Sequence, residues 1–177
     1  MEIAPGVHQI GPTKKGWKLG GYAQCYLIDD GSDRLVLVDT GYEHDAHSIV
    51  SYLWSIGRTP MDITDIALTH SHRSHLGGVA ALKRLNPQLT IHIHQWEADI
   101  CAGHRMAQPM PFRPIRPLVI YPMRIGALIN YDAHHGCEPD KLLNDEEGQR
   151  IGPLEVILTG HGLPVTQDAS AKLKRIL

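Results

Sequence analysis

The hydrophobic pattern of the first third of the chain predicts a β-hairpin followed by a helix. Two apolar runs rich in β-forming residues, QCYLID at 24–29 and RLVLVD at 34–39, are joined by the turn-forming residues DGSD. In the next segment, YEHDAHSIVSYLWSIG, apolar residues recur at helical spacing and Gly57 is a typical helix end. We therefore predict two paired strands and then a helix.

Strands continue to alternate with helices up to about residue 103. The short apolar run DIALT at 65–69 predicts a strand that is buried on both faces. LGGVAALKRLN predicts a helix that ends before Pro87, LTIHIH at 89–94 a further strand, and QWEADICAG a short helix. This alternation predicts the α/β class, in which ligand sites collect at the carboxyl ends of the strands.

The pattern is less regular in the last third of the chain. Residues 107–122 contain five prolines, which excludes a helix or a central strand. The segment is either an extended surface loop or a flap beside the site. After a polar, loop-like segment at 131–149, GPLEVILTGHG predicts a strand and DASAKLKRIL a short closing helix. We expect a single domain over residues 1–177.

Composition and charge exclude several classes of function. The net charge is −2 and the pI about 6.6, so there is no electrostatic basis for binding nucleic acid or an anionic membrane. No stretch is long enough to span a membrane, and the amino-terminal sequence is not typical of a signal peptide. Three scattered cysteines form neither a disulfide framework nor a metal-binding Cys-x-x-Cys motif. We expect a soluble, cytoplasmic protein.

A cluster of histidines follows the strand predicted at 65–69. In THSHRSHLGG, His70 and His72 are two residues apart in an extended turn, so both side chains should point to the same side and reach one ion. Ser74 is predicted to cap the next helix, which places His75 in its first turn. A further histidine, His161, lies between two glycines at the end of the apolar strand, in TGHG. Neutral imidazole is a good ligand for zinc, so these residues predict a metal site.

These motifs resemble the metallo-β-lactamase superfamily, whose signature is His-x-His-x-Asp-His after a strand, followed by a helix that opens on Gly-Gly. LTHSHRSHLGG matches this signature except at Ser74. Three further segments occur in the family's order. They are LVDTG before the signature, then IHIH with WEAD, and finally TGHGLP. The resemblance implies an αββα sandwich that is truncated in its C-terminal half, and hydrolysis of an ester, thioester, lactone or similar bond.

The resemblance also assigns roles to individual residues. It makes His70 and His72 the first ligands of one metal and His75 a ligand of a second metal. Asp39, in VDTG, would be the acidic residue beneath the metals that orients the imidazoles. Ser74 stands where the family has a metal-binding aspartate, and a hydroxyl is a much poorer ligand. The family's metal-bridging aspartate is also missing, because LEVILT and GHGLPVT are fused.

Other residues are weaker ligand candidates. His92 and His94 alternate within a predicted strand, where a structural role is the commoner one. A loop holds His134, His135 and Cys137, and any of them would be able to replace a missing ligand. The sequence leaves open whether His161 alone replaces the two metal ligands that the family has in this region.

Three histidines and an open fourth position are typical of catalytic zinc. We therefore predict a metal-dependent hydrolase of a small-molecule substrate, with one or two zinc ions per chain; iron and manganese are compatible with the same ligands. We expect weak activity, because the second metal site is incomplete. The alternative is a non-catalytic metal-binding scaffold or interaction protein of the same fold.

The shortened second half also leads to a prediction about assembly. A sheet with too few covering elements would expose a large apolar face, which is unusual for a soluble monomer. We expect a homodimer in which each chain completes the sandwich of the other, with residues 107–122 as an arm across the partner.

Overall fold

The computed structural model describes residues 1–11, 24–29, 31–106, 136–144 and 151. Within these residues, seven strands pair in chain order to form one mixed sheet. The strands are β1 (Glu2–Ala4), β2 (Val7–Ile10), β3 (Cys25–Asp29), β4 (Leu35–Val38), β5 (Ile63–Ala67), β6 (Thr90–His94) and β7 (Lys141–Leu143).

Four α-helices are found in the same part of the chain. They are α1 (Asp45–Ser55), α2 (Arg73–Leu76), α3 (Val79–Leu85) and α4 (Ala98–Cys101). Two single turns of 3-10 helix lie at Pro60–Asp62 and Gln95–Glu97. Helices α1 and α3 join parallel strands, as expected for an α/β protein.

The order of elements agrees with the prediction where the hydrophobic pattern is strong. The hairpin and the helix after it are confirmed as β3, β4 and α1. The strand predicted at 65–69 is shifted, because β5 begins at Ile63 and ends at Ala67. The helix predicted over LGGVAALKRLN is in fact two helices, α2 and α3, with Gly77 and Gly78 between them.

Three strands were not predicted. β1 and β2 form a short amino-terminal hairpin, and β7 lies in the segment that was predicted as a polar loop. β7 is only three residues long and has no apolar alternation. Its position depends on Asp140, whose carboxylate accepts hydrogen bonds from Lys83 Nζ and the Ile91 amide, each at 2.9 Å. Contacts of this kind leave no periodic signal in a sequence.

Strand direction places three chain segments at one edge of the sheet. β1 to β4 are antiparallel, whereas β4, β5, β6 and β7 run parallel to one another. The carboxyl ends of adjacent parallel strands meet at the same edge. Asp39 follows β4, His70 follows β5 and Glu97 follows β6, so the fold brings these residues together.

The main core lies between one face of the sheet and the helices. Alternate strand residues such as Leu27, Leu37 and Ile66 pack with Ile49 and Leu53 of α1, and all five are 0% exposed. Burial of each such side chain stabilises the fold by about 1.5–3 kcal/mol. The sheet therefore positions the residues that follow its strands on a rigid support.

The intervening strand residues point to the opposite face of the sheet. Tyr26, Ile28 and Val36 lie there, because successive side chains of a strand point to opposite faces. They are 0%, 6% and 4% exposed in the single chain. The uncovered apolar face expected from the sequence is therefore not found at these three positions.

Several predictions concern residues outside the described ones. They are the proline-rich segment 107–122, His134, His135, His161, the strand at 154–159 and the closing helix at 168–177. No helix in the described ranges is both long enough and apolar enough to cross a membrane. All three cysteines lie within the described residues, and none forms a disulfide.

Candidate metal centre

Three histidines cluster where the chain leaves β5. We call residues 70–72 the histidine turn. The ring centroid of His70 lies 4.7 Å from that of His72 and 3.9 Å from that of His75. The turn is extended at His72, which precedes α2, and His75 lies inside α2 and is fully buried. The clustering expected from the sequence is thus present.

Asp39 lies directly beneath this cluster and is fully buried. Its carboxylate contacts His75 Nδ1 at 2.7 Å and accepts hydrogen bonds from the Thr69 amide at 2.9 Å and the Thr69 hydroxyl at 2.8 Å. Asp39 is the one non-glycine residue of the described chain with a positive φ, at 57°. A non-glycine residue in this region is strained, and such strain is commonly found at functional sites.

The hydrogen bonds around Asp39 orient two imidazoles. The Thr69 hydroxyl has one proton, which it donates to Asp39, so it accepts a hydrogen bond from His70 Nδ1 at 3.0 Å. His75 likewise donates from Nδ1 to the carboxylate. In His70 the lone pair is then on Nε2, the nitrogen that would bind a metal.

The surroundings of His70 keep its side chain neutral at physiological pH. Burial lowers the pKa of His70, and the nearby His75 and His72 lower it further, to about 4. Asp39 and Glu97 act in the opposite direction but more weakly. A neutral imidazole is the form that binds a metal.

Helix α2 is held against the loop that follows β4. The His75 carbonyl accepts hydrogen bonds from the Thr40 amide at 2.6 Å and the Thr40 hydroxyl at 2.9 Å. A Cβ atom at Gly78 would lie 2.7 Å from the Thr40 carbonyl oxygen, and one at Gly77 would lie 2.8 Å from the Glu43 amide nitrogen. The two glycines therefore allow this helix to approach the loop closely, and the neighbour is backbone of the same chain, not a ligand.

The predicted role of Ser74 as the helix cap is wrong. α2 begins at Arg73 and is preceded by His72, so Ser74 lies in the first turn of the helix. The helix starts two residues earlier than predicted because the amides of His75 and Leu76 both bond to the His72 carbonyl.

A further carboxylate contacts the histidine turn from the side of β6. The Ser71 amide donates to Glu97 Oε2 at 2.9 Å, and the Ser71 hydroxyl donates to the Glu97 carbonyl at 2.9 Å. Sequence reasoning did not assign a role to Glu97 or to Thr69. Glu97 was detectable in principle, since it is an acidic residue just after a strand that neighbours the histidine strand.

Other candidate ligands lie elsewhere or are not described. His92 Nε2 contacts Asp65 Oδ1 at 2.7 Å, and His94 accepts a hydrogen bond from the Trp96 amide. Cys137 packs at the end of α4, where its amide donates to the Cys101 carbonyl. Within the described ranges, no three His, Cys, Asp or Glu side chains are arranged to hold one ion. His161 lies outside those ranges.

Two curated proteins resemble part of this chain. An atrochrysone carboxyl ACP thioesterase from Passalora fulva is 36% identical over 74 residues, which are 42% of this chain and 22% of that protein. A hydroxyacylglutathione hydrolase from Chromohalobacter salexigens is 39% identical over 64 residues, which are 36% of this chain and 23% of that protein. The chain thus matches less than a quarter of each relative.

Solved structures resemble a larger part of the fold. A metallo-β-lactamase from Cronobacter sakazakii superposes with a TM-score of 0.59 at 21% identity, covering 84% of this chain and 48% of that one. A native metallo-β-lactamase from Legionella gormanii gives a TM-score of 0.58 at 15% identity, covering 83% and 47%. The chain therefore spans about half the length of these structures, and the likeness confirms the predicted fold.

The family model that matches the sequence is the metallo-beta-lactamase superfamily, over residues 19–170. This match includes the histidine turn, Asp39 and strands β3 to β7, and it agrees with the structural likeness. The chain belongs to the metallo-β-lactamase superfamily.

Proposed function

We propose that this protein is a metal-dependent hydrolase that cleaves an ester, thioester, lactone or similar bond. The observation that supports this best is the buried Asp39, which bonds directly to His75 and, through the Thr69 hydroxyl, to His70. A carboxylate that orients imidazoles is the usual partner of metal-binding histidines. Burial of an unpaired charge is costly, so a fully buried carboxylate on a strained backbone needs partners such as these imidazoles.

Imidazole nitrogens suit zinc, the metal that this superfamily usually binds. The hydrogen bond of His70 at Nδ1 leaves Nε2 as its donor atom. His70, His72 and His161 would hold the first ion, and His75 would bind a second one. Iron or manganese would accept the same imidazole nitrogens.

A metal bound there would supply the chemistry of hydrolysis, by lowering the pKa of a water molecule and polarising the substrate oxygen. The chain itself orients the ligands through Asp39 and Thr69. Burial keeps His70 neutral, and Glu97 and Thr40 hold the histidine turn and α2 in place. We place thioesters first among the substrates, because one matched relative is a thioesterase.

Ser74 favours a second candidate function, a metal-binding scaffold without catalysis. In the family signature an aspartate at this position supplies an anionic ligand, which a serine hydroxyl does not replace. Ser74 lies in the first turn of α2, one residue before the buried His75. Slow hydrolysis is therefore expected if the protein is an enzyme.

Metal content and hydrolysis together test the proposal. We expect about one zinc per chain by elemental analysis, and loss of most of it in His70→Ala and His72→Ala. His104→Ala is the matched control, because His104 is exposed and pairs with Glu138 at the surface. Hydrolysis of a simple acyl thioester should be slow and should disappear with a chelator. Unchanged metal content in both histidine variants would refute the assignment, and metal binding without any hydrolysis would favour the scaffold.

A further inference from the structure

We propose that Glu97 is a positioning residue that holds the histidine turn in the conformation in which His70 and His72 face a common ion. This inference rests on the proposed metal-binding function and adds a residue to it. The evidence is a pair of hydrogen bonds that join Ser71, the residue between the two ligands, to Glu97.

Ser71 is held at two points by one residue. Its amide donates to the Glu97 carboxylate and its hydroxyl donates to the Glu97 main-chain carbonyl, both at 2.9 Å. Ser71 is only 1% exposed, so water cannot readily replace these bonds. A buried amide that is left without an acceptor destabilises the fold, so the carboxylate has a definite structural effect.

The fold places Glu97 there independently of the histidines. β6 runs parallel to β5, with Ala67 opposite His92, so the segments that follow the two strands leave the sheet side by side. Glu97 ends the 3-10 turn after β6 and immediately precedes α4. The hydrogen bonds therefore connect two neighbouring strand ends across 26 residues of sequence.

Two carboxylates thus hold the histidines in different ways. Asp39 contacts the imidazole of His75 and, through Thr69, that of His70, and so it sets the orientation of rings. Glu97 bonds to the backbone amide and the side chain of Ser71, so it sets the path of the main chain between two ligands. Since the side chains of residues 70 and 72 project from that main chain, moving Ser71 would move both.

The first test needs no metal. Amide hydrogen exchange at Ser71 should be at least about tenfold faster in Glu97→Ala than in the parent, because the amide loses its acceptor. Glu97→Gln should restore most of the protection, since its amide oxygen can accept the same bond. Asp99→Ala is the matched control: Asp99 is an exposed acidic residue in the first turn of α4, and its carbonyl accepts hydrogen bonds from the His104 and Arg105 amides. Equal exchange in Glu97→Ala and Asp99→Ala would overturn the proposal.

The second test measures binding of Co²⁺ and Zn²⁺ by titration, with the visible spectrum of Co²⁺ as the readout of ligand geometry. We expect about tenfold weaker binding and an altered spectrum in Glu97→Ala, within the range found for residues that support metal ligands. Glu97→Gln should bind within about threefold of the parent, and Asp99→Ala like the parent. Unchanged affinity and spectrum in Glu97→Ala would refute the positioning role.

The two tests separate the possible failures. A parent protein that binds neither metal would overturn the proposed function, whereas the exchange measurement would still decide whether Glu97 holds the turn. If Glu97→Ala does not fold, Ser71→Ala replaces it, because this variant loses only the hydroxyl bond. We then expect Co²⁺ binding several-fold weaker than in the parent, and parent-like binding would count against the proposal.

Discussion

At the scale of single residues, Asp39 combines two properties, each of which alone destabilises a folded protein. It is a fully buried carboxylate, and its backbone has a φ of 57°. Asparagine tolerates this backbone region nearly as well as aspartate does, whereas alanine does not. Substitution at this position can therefore separate the contribution of the charge from that of the backbone.

We expect Asp39→Asn to lower the free energy of unfolding by about 1–3 kcal/mol, because the buried His75 and Thr69 donors lose a charged acceptor. Asp39→Ala should cost about 1–2 kcal/mol more, since alanine is disfavoured at positive φ. Urea denaturation measures both values. Asp33→Asn, at an exposed carboxylate of the β3–β4 turn, is the control and should change stability little. Equal stability of Asp39→Asn and the parent would show that the charge of Asp39 does not stabilise the fold.

Ser74 offers a second test at the same scale. Ser74→Asp should raise the metal content above that of the parent, because a carboxylate is a far better ligand for a divalent ion than a hydroxyl. The change should not unfold α2, since an acidic residue is favourable in the first turn of a helix. Elemental analysis measures the metal, and Ser74→Asn is the neutral control of similar size. No gain over Ser74→Asn would mean that the second site lacks more than this one ligand.

At the scale of elements, a buried pair links β5 to β6. The Asp65 carboxylate lies 2.7 Å from His92 Nε2 and also accepts hydrogen bonds from Thr64 Oγ1 and Arg34 Nη2. Burial would raise the pKa of Asp65, but these hydrogen bonds outweigh it and lower the pKa below its ordinary value of 3.8. The ionised carboxylate thus stabilises the folded state.

This pair predicts how stability depends on pH. Because the pKa of Asp65 is lower in the folded than in the unfolded chain, its contribution is present above pH 3.8 and is lost as the pH falls through the folded-state pKa. We expect Asp65→Asn to be about 1–3 kcal/mol less stable than the parent at pH 7 and to differ less at pH 3. Denaturant unfolding at both pH values tests this. A difference that stays constant or grows toward pH 3 would contradict the prediction.

The elements also show what a sequence can predict. The hairpin, α1 and β6 were predictable because their apolar residues are periodic and their ends carry turn-forming residues. Histidine clustering was predictable because ligand spacing is local. β7 and the contact of Glu97 with Ser71 were not, because each depends on residues that are distant in sequence. The close approach of Thr40 and Glu43 to Gly77 and Gly78 was not predictable for the same reason.

At the scale of the whole molecule, the homodimer stays a prediction. Its original reason, an uncovered apolar sheet face, does not hold for Tyr26, Ile28 and Val36, which are buried in one chain. Light scattering at micromolar concentration tests the prediction, because a homodimer has twice the chain mass of 19.6 kDa. A well-folded monomer at that concentration would exclude the obligate dimer.

The site is built from hydrogen bonds that join distant parts of the chain, and this has a consequence for kinetics. His75 bonds to Asp39 across 36 residues and Ser71 to Glu97 across 26, whereas a short turn joins β3 to β4. Distant contacts require longer loops to close, so we expect them to form after the rate-limiting step of folding. Asp39→Asn should then speed unfolding in stopped-flow experiments and leave the folding rate nearly unchanged. These bonds would set the lifetime of the folded protein more than the speed of its formation.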